Sequence, residues 1–318
     1  MNHSCVITGA TGYIGSHLLR HLLSKGWDVH IIADPKFGYT NIEDVLKQID
    51  VFEYTGEVEK LISYFKKVKP DVVFHLAAAV ITNYQPIQVP VLIQSNVQFG
   101  AEVLEAMKVS GCKLFVGTGS YWQNYNCEDY NPVDLYAATK EAFEKILKYY
   151  TEAEGIRAIT LRLFDVYGSD DKRPKLWNII KQKVGTNEVL NLSAGEQILD
   201  MVFVSDVCTA YEQAYYLLKN DVRIVNRVYA VCSGKRMPLK EIVELYRKKL
   251  NGSVIVNYGG KPYKKREVMK PIDTLEILPG WCPQVPLEEG LRKLAGGGGK
   301  NPIIYSSAVI FGSIKIAA

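Results

Sequence analysis

The six cysteines of this 318-residue chain (Cys5, Cys112, Cys127, Cys208, Cys232 and Cys282) make neither a CxxC pair nor a zinc-like spacing with histidine. A disulfide scaffold and a metal centre are therefore not expected, and reduced thiols in a cytoplasmic protein are. Charge of one sign is also scarce. The formal net charge is +4, and the basic residues are dispersed in short groups such as Lys66, Lys67 and Lys69. Nucleic-acid binding has no compositional support. No apolar run is long enough to span a bilayer. Residues 302–316 come closest, but they are few and include Ser306, Ser307, Ser313 and Lys315. The N-terminus enters a strand directly, without a leader pattern. No internal repeat is visible.

The remaining pattern is that of a globular α/β chain, long enough for one large domain and a smaller lobe. Short β-branched runs at 4–8, 28–33, 51–54, 72–76, 113–117 and 159–164 alternate with helical patterns at 14–25, 59–68, 95–110 and 136–154. Gly26, Pro70, Gly111 and Gly155 end the helices. This alternation predicts βαβ units on a parallel sheet, a Rossmann-type doubly wound fold over residues 1–170. Beyond 170 the alternation loosens, with helices expected at 174–184 and 238–250 and a strand at 253–257. Residues 171–294 read as a smaller C-terminal α/β substrate lobe, with 200–218 rejoining the first domain. Residues 295–318 read as a glycine-rich linker and tail without an assigned role.

Between the first strand and first helix lies Thr8-Gly9-Ala10-Thr11-Gly12-Tyr13-Ile14-Gly15. Gly9 permits a tight turn, Gly12 lets the backbone approach a pyrophosphate, and Gly15 allows close packing of the helix. The helix N-terminus presents free N–H groups to the anion. Thr11, Tyr13 and Ile14 complete this candidate NAD or NADP site. An acid at the end of the second strand selects NAD. Here Ala33 takes that place, with Asp34 one step late and Lys36 available for a 2′-phosphate, which leans the reading toward NADPH.

Tyr136 and Lys140 stand four apart at the head of a helix and so share a face. A nearby ammonium favours the phenolate and would lower the tyrosine's pKa toward a useful value. The preceding strand ends in a hydroxyl-rich turn, where Thr118, with Ser120 second, would hydrogen-bond the oxygen that the tyrosine protonates. The order of glycine turn, hydroxyl turn and Tyr-x-x-x-Lys helix gives the set its force.

These residues closely resemble the extended short-chain dehydrogenase/reductases, specifically the NAD-dependent epimerase/dehydratase family of nucleotide-sugar enzymes. TGATGYIGSHL at 8–18, FHLAA at 74–78, Asn96 in QSNV, YAATK at 136–140, LRLFDVYG at 161–168 and GWCP at 280–283 carry the likeness. It implies a Rossmann domain for the cofactor, a C-terminal lobe for a nucleoside-diphosphate sugar, and a homodimer paired through the helices of Ser95 and Tyr136. It also implies that Leu76, Ala77, Ala78 and Asn96 lie at the cofactor, and that Ser120, Asp165 and Arg266 serve the substrate.

Departures from the family pattern narrow the chemistry. Tyr54-Thr55 replaces the Gly-Asp that touches adenine, Asp165 replaces an asparagine, and Leu199 replaces a phosphate-binding arginine. Arg266 reads either as the second phosphate-binding arginine or as part of a solvated basic run. Gly119 and Ser120 replace the Asp-Glu pair with which 4,6-dehydratases remove water, so dehydration is not expected. Residues 121–133 resemble the CDP-linked 4-keto-dideoxysugar reductases of the abequose/paratose synthase type. The expectation is reduction of a C4 ketone. A 4-epimerase with tightly held NAD and a non-catalytic dinucleotide-binding regulator are the alternatives.

Overall fold

The computed structural model describes residues 3–296; from residue 297 on, the expected linker and tail lie outside the described residues. β1 (Ser4–Thr8) leads into α1 (Tyr13–Ser24), followed by β2 (Asp28–Ala33), β3 (Asp50–Glu53), α2 (Val58–Val68) and β4 (Val72–His75). α3 (Val89–Ile93) and α4 (Phe99–Ser110) are joined by a π turn, Gln94–Gln98, and precede β5 (Leu114–Ser120). α5 (Leu135–Ala153), β6 (Arg157–Leu163) and β7 (Asp165–Tyr167) follow. Next come α6 (Leu176–Gln182), β8 (Val189–Leu192), β9 (Ile198–Phe203), α7 (Val204–Asn220), β10 (Asn226–Val231), β11 (Arg236–Pro238), α8 (Leu239–Arg247), β12 (Ile255–Tyr258) and α9 (Leu287–Gly296).

The main sheet has seven strands in the order β10-β6-β5-β4-β1-β2-β3, and every pairing is parallel. Side chains alternate between its faces, so neighbouring apolar residues serve different cores. Ile7, Phe74 and Val116 face α1 and α7 with Leu18 and Tyr211. Val6, Val73 and Phe115 face α2, α4 and α5 with Phe65, Met107 and Phe143. The doubly wound fold follows from this two-sided burial.

The lobe adds a three-stranded sheet, β11-β9-β7, and a two-stranded one, β12-β8. A boundary at residue 170 does not divide the chain cleanly. α7 packs beside α1 on the same face of the sheet, and β10 pairs with β6, so residues 204–231 return to the first layer. The return is wider than the expected 200–218 because β10, reading Asn226-Arg-Val-Tyr-Ala-Val, lacks the continuous apolar run of an interior strand. It lies at the margin of the sheet. There Ala230 N–H bonds Glu276 O at 2.8 Å and Leu278 N–H bonds Ala230 O at 3.3 Å, so the 276–278 segment covers it. Trp281 then ties that segment to α7 by donating its indole N–H to Asp206 O and Thr209 Oγ1, both at 3.0 Å.

Candidate active site

The carboxyl ends of β1, β4 and β5 meet in register, Thr8 beside His75 and His75 beside Gly117. Ligands of open parallel sheets bind at such an end. Gly9 takes φ +73°, and a Cβ there would lie 2.6 Å from Ala77 N. On Gly15 a Cβ would lie 2.1 Å from Gly9 O. The first glycine thus lets the turn press against the chain leaving β4, and the third lets α1 press against the turn. Gly12 is exposed and stands as the N-cap of α1 without a side-chain cap, so the first helical N–H groups stay available to an anion. These residues fit a dinucleotide pyrophosphate.

Around the turn the predicted residues separate into groups. Thr11 is half-buried, and its carbonyl accepts from Asn41 Nδ2 at 2.9 Å. Tyr13 and Ile14 turn inward. Tyr13 is buried beneath the Arg173 guanidinium, 4.6 Å from its ring centroid, and Ile14 packs on the core. Leu76, Ala77 and Ala78 are half-buried beside the turn. Two residues unforeseen as site members hold them. Leu76 N–H bonds Thr8 O at 3.1 Å and Ala77 N–H bonds Thr8 Oγ1 at 3.2 Å, while Thr8 Oγ1 lies 2.9 Å from His75 Nδ1. Both sit inside the recognised TGATGYIG and FHLAA stretches, but nothing in those stretches says which member faces inward. Burial holds the His75 imidazole neutral, its pKa lowered to about 3, with Lys140 a second contributor.

Asn96, expected at the cofactor, is 1 % exposed and acts from inside the protein. Its Oδ1 accepts from Ala79 N at 2.7 Å, and its Nδ2 donates to Ala79 O at 3.0 Å and to Thr139 Oγ1 at 2.9 Å. It braces the post-β4 chain against the residue preceding Lys140, and the π turn places it there. Asp34 caps the short turn after β2 by accepting from Lys36 N at 2.9 Å, and Lys36 is exposed. Tyr54 turns toward α4 and donates to Glu102 Oε2 at 2.9 Å.

The carboxylate of Asp134 caps α5 by accepting from Ala137 N at 2.9 Å. Tyr136 and Lys140 follow on that helix, both buried. Burial lowers the Lys140 pKa to about 8, opposed by the Glu144 carboxylate. The expectation for the tyrosine is corrected in sign. Burial raises the Tyr136 pKa, Asp134 adds to this, and Arg173 opposes it. In this state desolvation outweighs any help from an ammonium, and the side chain is a neutral phenol.

Thr118 also departs from expectation. Its Oγ1 donates to His75 O at 2.7 Å and lies 2.6 Å from the Tyr211 hydroxyl. A hydroxyl has one proton, so Tyr211 is the donor of the second bond. Thr118 is thus placed to accept, and Tyr211, on α7, had no sequence signal. Ser120 is half-buried and caps the next turn by accepting from Trp122 N at 3.3 Å. Asp165 accepts from the Tyr121 hydroxyl at 3.0 Å, and burial raises its pKa to about 6 against the pull of Lys175. Arg266 is not a solvated residue. Its guanidinium stacks 4.3 Å from the Tyr125 ring centroid and hydrogen-bonds Asn131 Oδ1, while its buried Nε has no partner among the described residues. Leu199 is half-buried on β9. No group of three or more His, Cys, Asp or Glu residues among the described residues is placed to hold a metal ion.

Residues 5–232 match the model of the NAD dependent epimerase/dehydratase family. A CDP-abequose synthase of Salmonella muenchen is 27% identical over 299 residues, 92% of this chain and 97% of that protein. A CDP-abequose synthase of Yersinia pseudotuberculosis is 29% identical, covering 84% and 90%. The crystal structure of a Thermus thermophilus UDP-glucose 4-epimerase complexed with NAD shares the fold with a TM-score of 0.77 at 24% identity, covering 92% of this chain and 97% of that one. By its glycine turn, its Tyr136–Lys140 helix and the match over residues 5–232, the chain belongs to the NAD dependent epimerase/dehydratase family.

Proposed function

We propose that this enzyme reduces the C4 ketone of a nucleoside-diphosphate 4-keto-deoxyhexose, with CDP as the nucleotide and NADPH or NADH as the reductant. The observation that carries the reading is the head of α5, where Tyr136 and Lys140 stand four residues apart on one helix and are both buried. A tyrosine at neutral pH is a phenol with a proton to give, as a reduction requires. The likeness to two CDP-abequose synthases supports the choice of nucleotide and of a deoxysugar. When bound, the nicotinamide supplies hydride to the carbonyl carbon. Tyr136 gives its proton to the alkoxide oxygen so formed, and the Lys140 ammonium stabilises the phenolate left behind. Thr118 accepts a hydrogen bond in the same site. Gly119 and Ser120 offer no carboxylate for removing water, which supports reduction over dehydration. The lobe built on β7, β9 and β11 would hold the sugar nucleotide, with Arg266 and Asp165 toward it. The active species would be a homodimer.

The test mixes the protein with a CDP-4-keto-dideoxyhexose generated in situ and follows nicotinamide absorbance. Stoichiometric loss of reduced cofactor is expected, and the faster cofactor identifies the preference. Tyr136→Phe is expected to abolish this turnover and spare cofactor binding. Unchanged turnover in that variant overturns the mechanism. The likeness in fold to 4-epimerases favours a second reading, in which no net cofactor is consumed and NAD is recovered from the denatured protein.

A further inference from the structure

Beneath the hydroxyl turn lies a cluster of charged and amide side chains that plays no part in the chemistry above. Gln123 is fully buried, and Asn124, Glu141 and Arg162 are nearly so. Gln123 Oε1 accepts the Ser120 backbone N–H at 2.9 Å. Its Nε2 donates to Glu141 Oε2 at 2.8 Å and to Glu144 Oε1 at 2.9 Å. Arg162, on β6, donates to Glu144 Oε2 at 2.7 Å, to Glu141 Oε2 at 3.3 Å and to Asn124 Oδ1. From the surface, Lys145 pairs with Glu141 at 3.0 Å. Two cations thus face two carboxylates, so the cluster is neutral and its buried charges are paired.

The geometry joins two elements that the reaction needs in register. One amide, Gln123, links the backbone of the turn carrying Thr118 and Ser120 to the helix carrying Tyr136 and Lys140. Glu141 follows Lys140 directly, and Glu144 lies one helical turn further on. Gly119 belongs to the same arrangement. A Cβ there would stand 3.1 Å from Gln123 Oε1, Glu144 Oε1 and Thr160 Cγ2. The cluster therefore crowds the space that a side chain at 119 would enter. We propose that Gln123, clamped by Glu141, Glu144 and Arg162, is a positioning residue that fixes the Thr118–Ser120 turn against the catalytic helix. It also disfavours a carboxylate at position 119, by crowding and by the charge of Glu144. This rests on the reading of Tyr136 and Lys140 as the catalytic pair. A positional error of about 1 Å in such a constellation costs roughly a hundredfold in rate.

The experiment exchanges the two polar partners. Gln123→Glu puts a third carboxylate against Glu141 and Glu144. Adding Glu144→Gln restores one amide and one carboxylate in reversed order. Each variant is measured for kcat and KM in the nicotinamide assay, for thermal midpoint, and for affinity for the reduced cofactor. The single variant is expected to lose about tenfold or more in kcat with cofactor affinity unchanged, and the double to return within threefold of the parent. A single variant within twofold of the parent, or a double no better than the single, overturns the proposal. If the single does not fold, the folded double decides: parental kcat supports the clamp and depressed kcat overturns it. Tyr136→Phe run alongside separates the failures. If it retains turnover the catalytic reading falls, whereas if it is inactive while Gln123→Glu is unaffected only the clamp falls.

Discussion

At the scale of single residues, burial sets the protonation states on α5. Lys140 lies in an interior where desolvation disfavours its ammonium, so its pKa falls to about 8. Its charge is present below that value and lost as pH rises through it. We therefore expect kcat/KM, which reports the free protein, to fall on the alkaline side with a midpoint near 8. Lys140→Arg keeps its charge throughout and should move that limb to higher pH; a limb left in place would assign it to another group. Spacing alone made the pair legible, because four residues on a helix put two side chains on one face. The sign of the Tyr136 shift was not legible, since it depends on how much protein covers the ring. The Gln123–Arg162 cluster was also hidden. Glu141, Glu144 and Lys145 look like the solvated face of a helix, and only the placement of β6 and the 120–124 turn buries the first and half-buries the second.

Elements were legible where one local signal dominates. β-branched runs on both sides of glycine or proline stops placed β1, β2, β4 and β5 close to their observed bounds. The expected helix at 95–110 shows where such signals fail. The structure starts α-helical geometry at Val89, directly after a 3-10 turn at Pro86–Gln88, with Pro90 in the first turn, and inserts a π turn at Gln94–Gln98. A π turn adds one residue and so shifts the apolar stripe, a shift too local for the pattern to announce, although it is what seats Asn96. Contact between α1 and the glycine turn gives a further test. A Cβ at Gly15 collides with Gly9 O, which is backbone and has no rotamer to yield. Gly15→Ala should shift the helix N-terminus, cost about 1–3 kcal/mol of stability and weaken cofactor binding. Denaturant midpoints and titration of nicotinamide fluorescence would check both; parental values in both would show that the turn gives way freely.

The whole molecule joins its two parts through side chains at the site. Tyr121 reaches Asp165, and Arg266 packs on Tyr125 and Asn131, so the 121–131 turn is held from the lobe side. Arg266→Ala removes this stack and a guanidinium whose buried Nε is unpartnered among the described residues. It should raise KM for the sugar nucleotide about tenfold or more, the scale of a charge-assisted hydrogen bond, and leave cofactor affinity unchanged. A loss confined to cofactor affinity would place Arg266 elsewhere in the work of the enzyme. The return of 204–231 to the first layer was only partly legible, because the short, polar-flanked β10 resembles a loop.

The cover that the 276–278 segment lays over β10 bears on how this protein behaves in a crowded solution. A parallel sheet ends in two rows of unpaired backbone groups, and each can template another chain. One row is partly occupied, at Ala230, by the molecule's own backbone. The other belongs to β3, four residues long with Asp50 and Glu53 at its ends, where a second strand would meet acidic residues. Adding strands would thus be opposed at one rim by this partial cover and at the other by shortness and repulsion, which leaves this sheet poorly suited to nucleate fibrils.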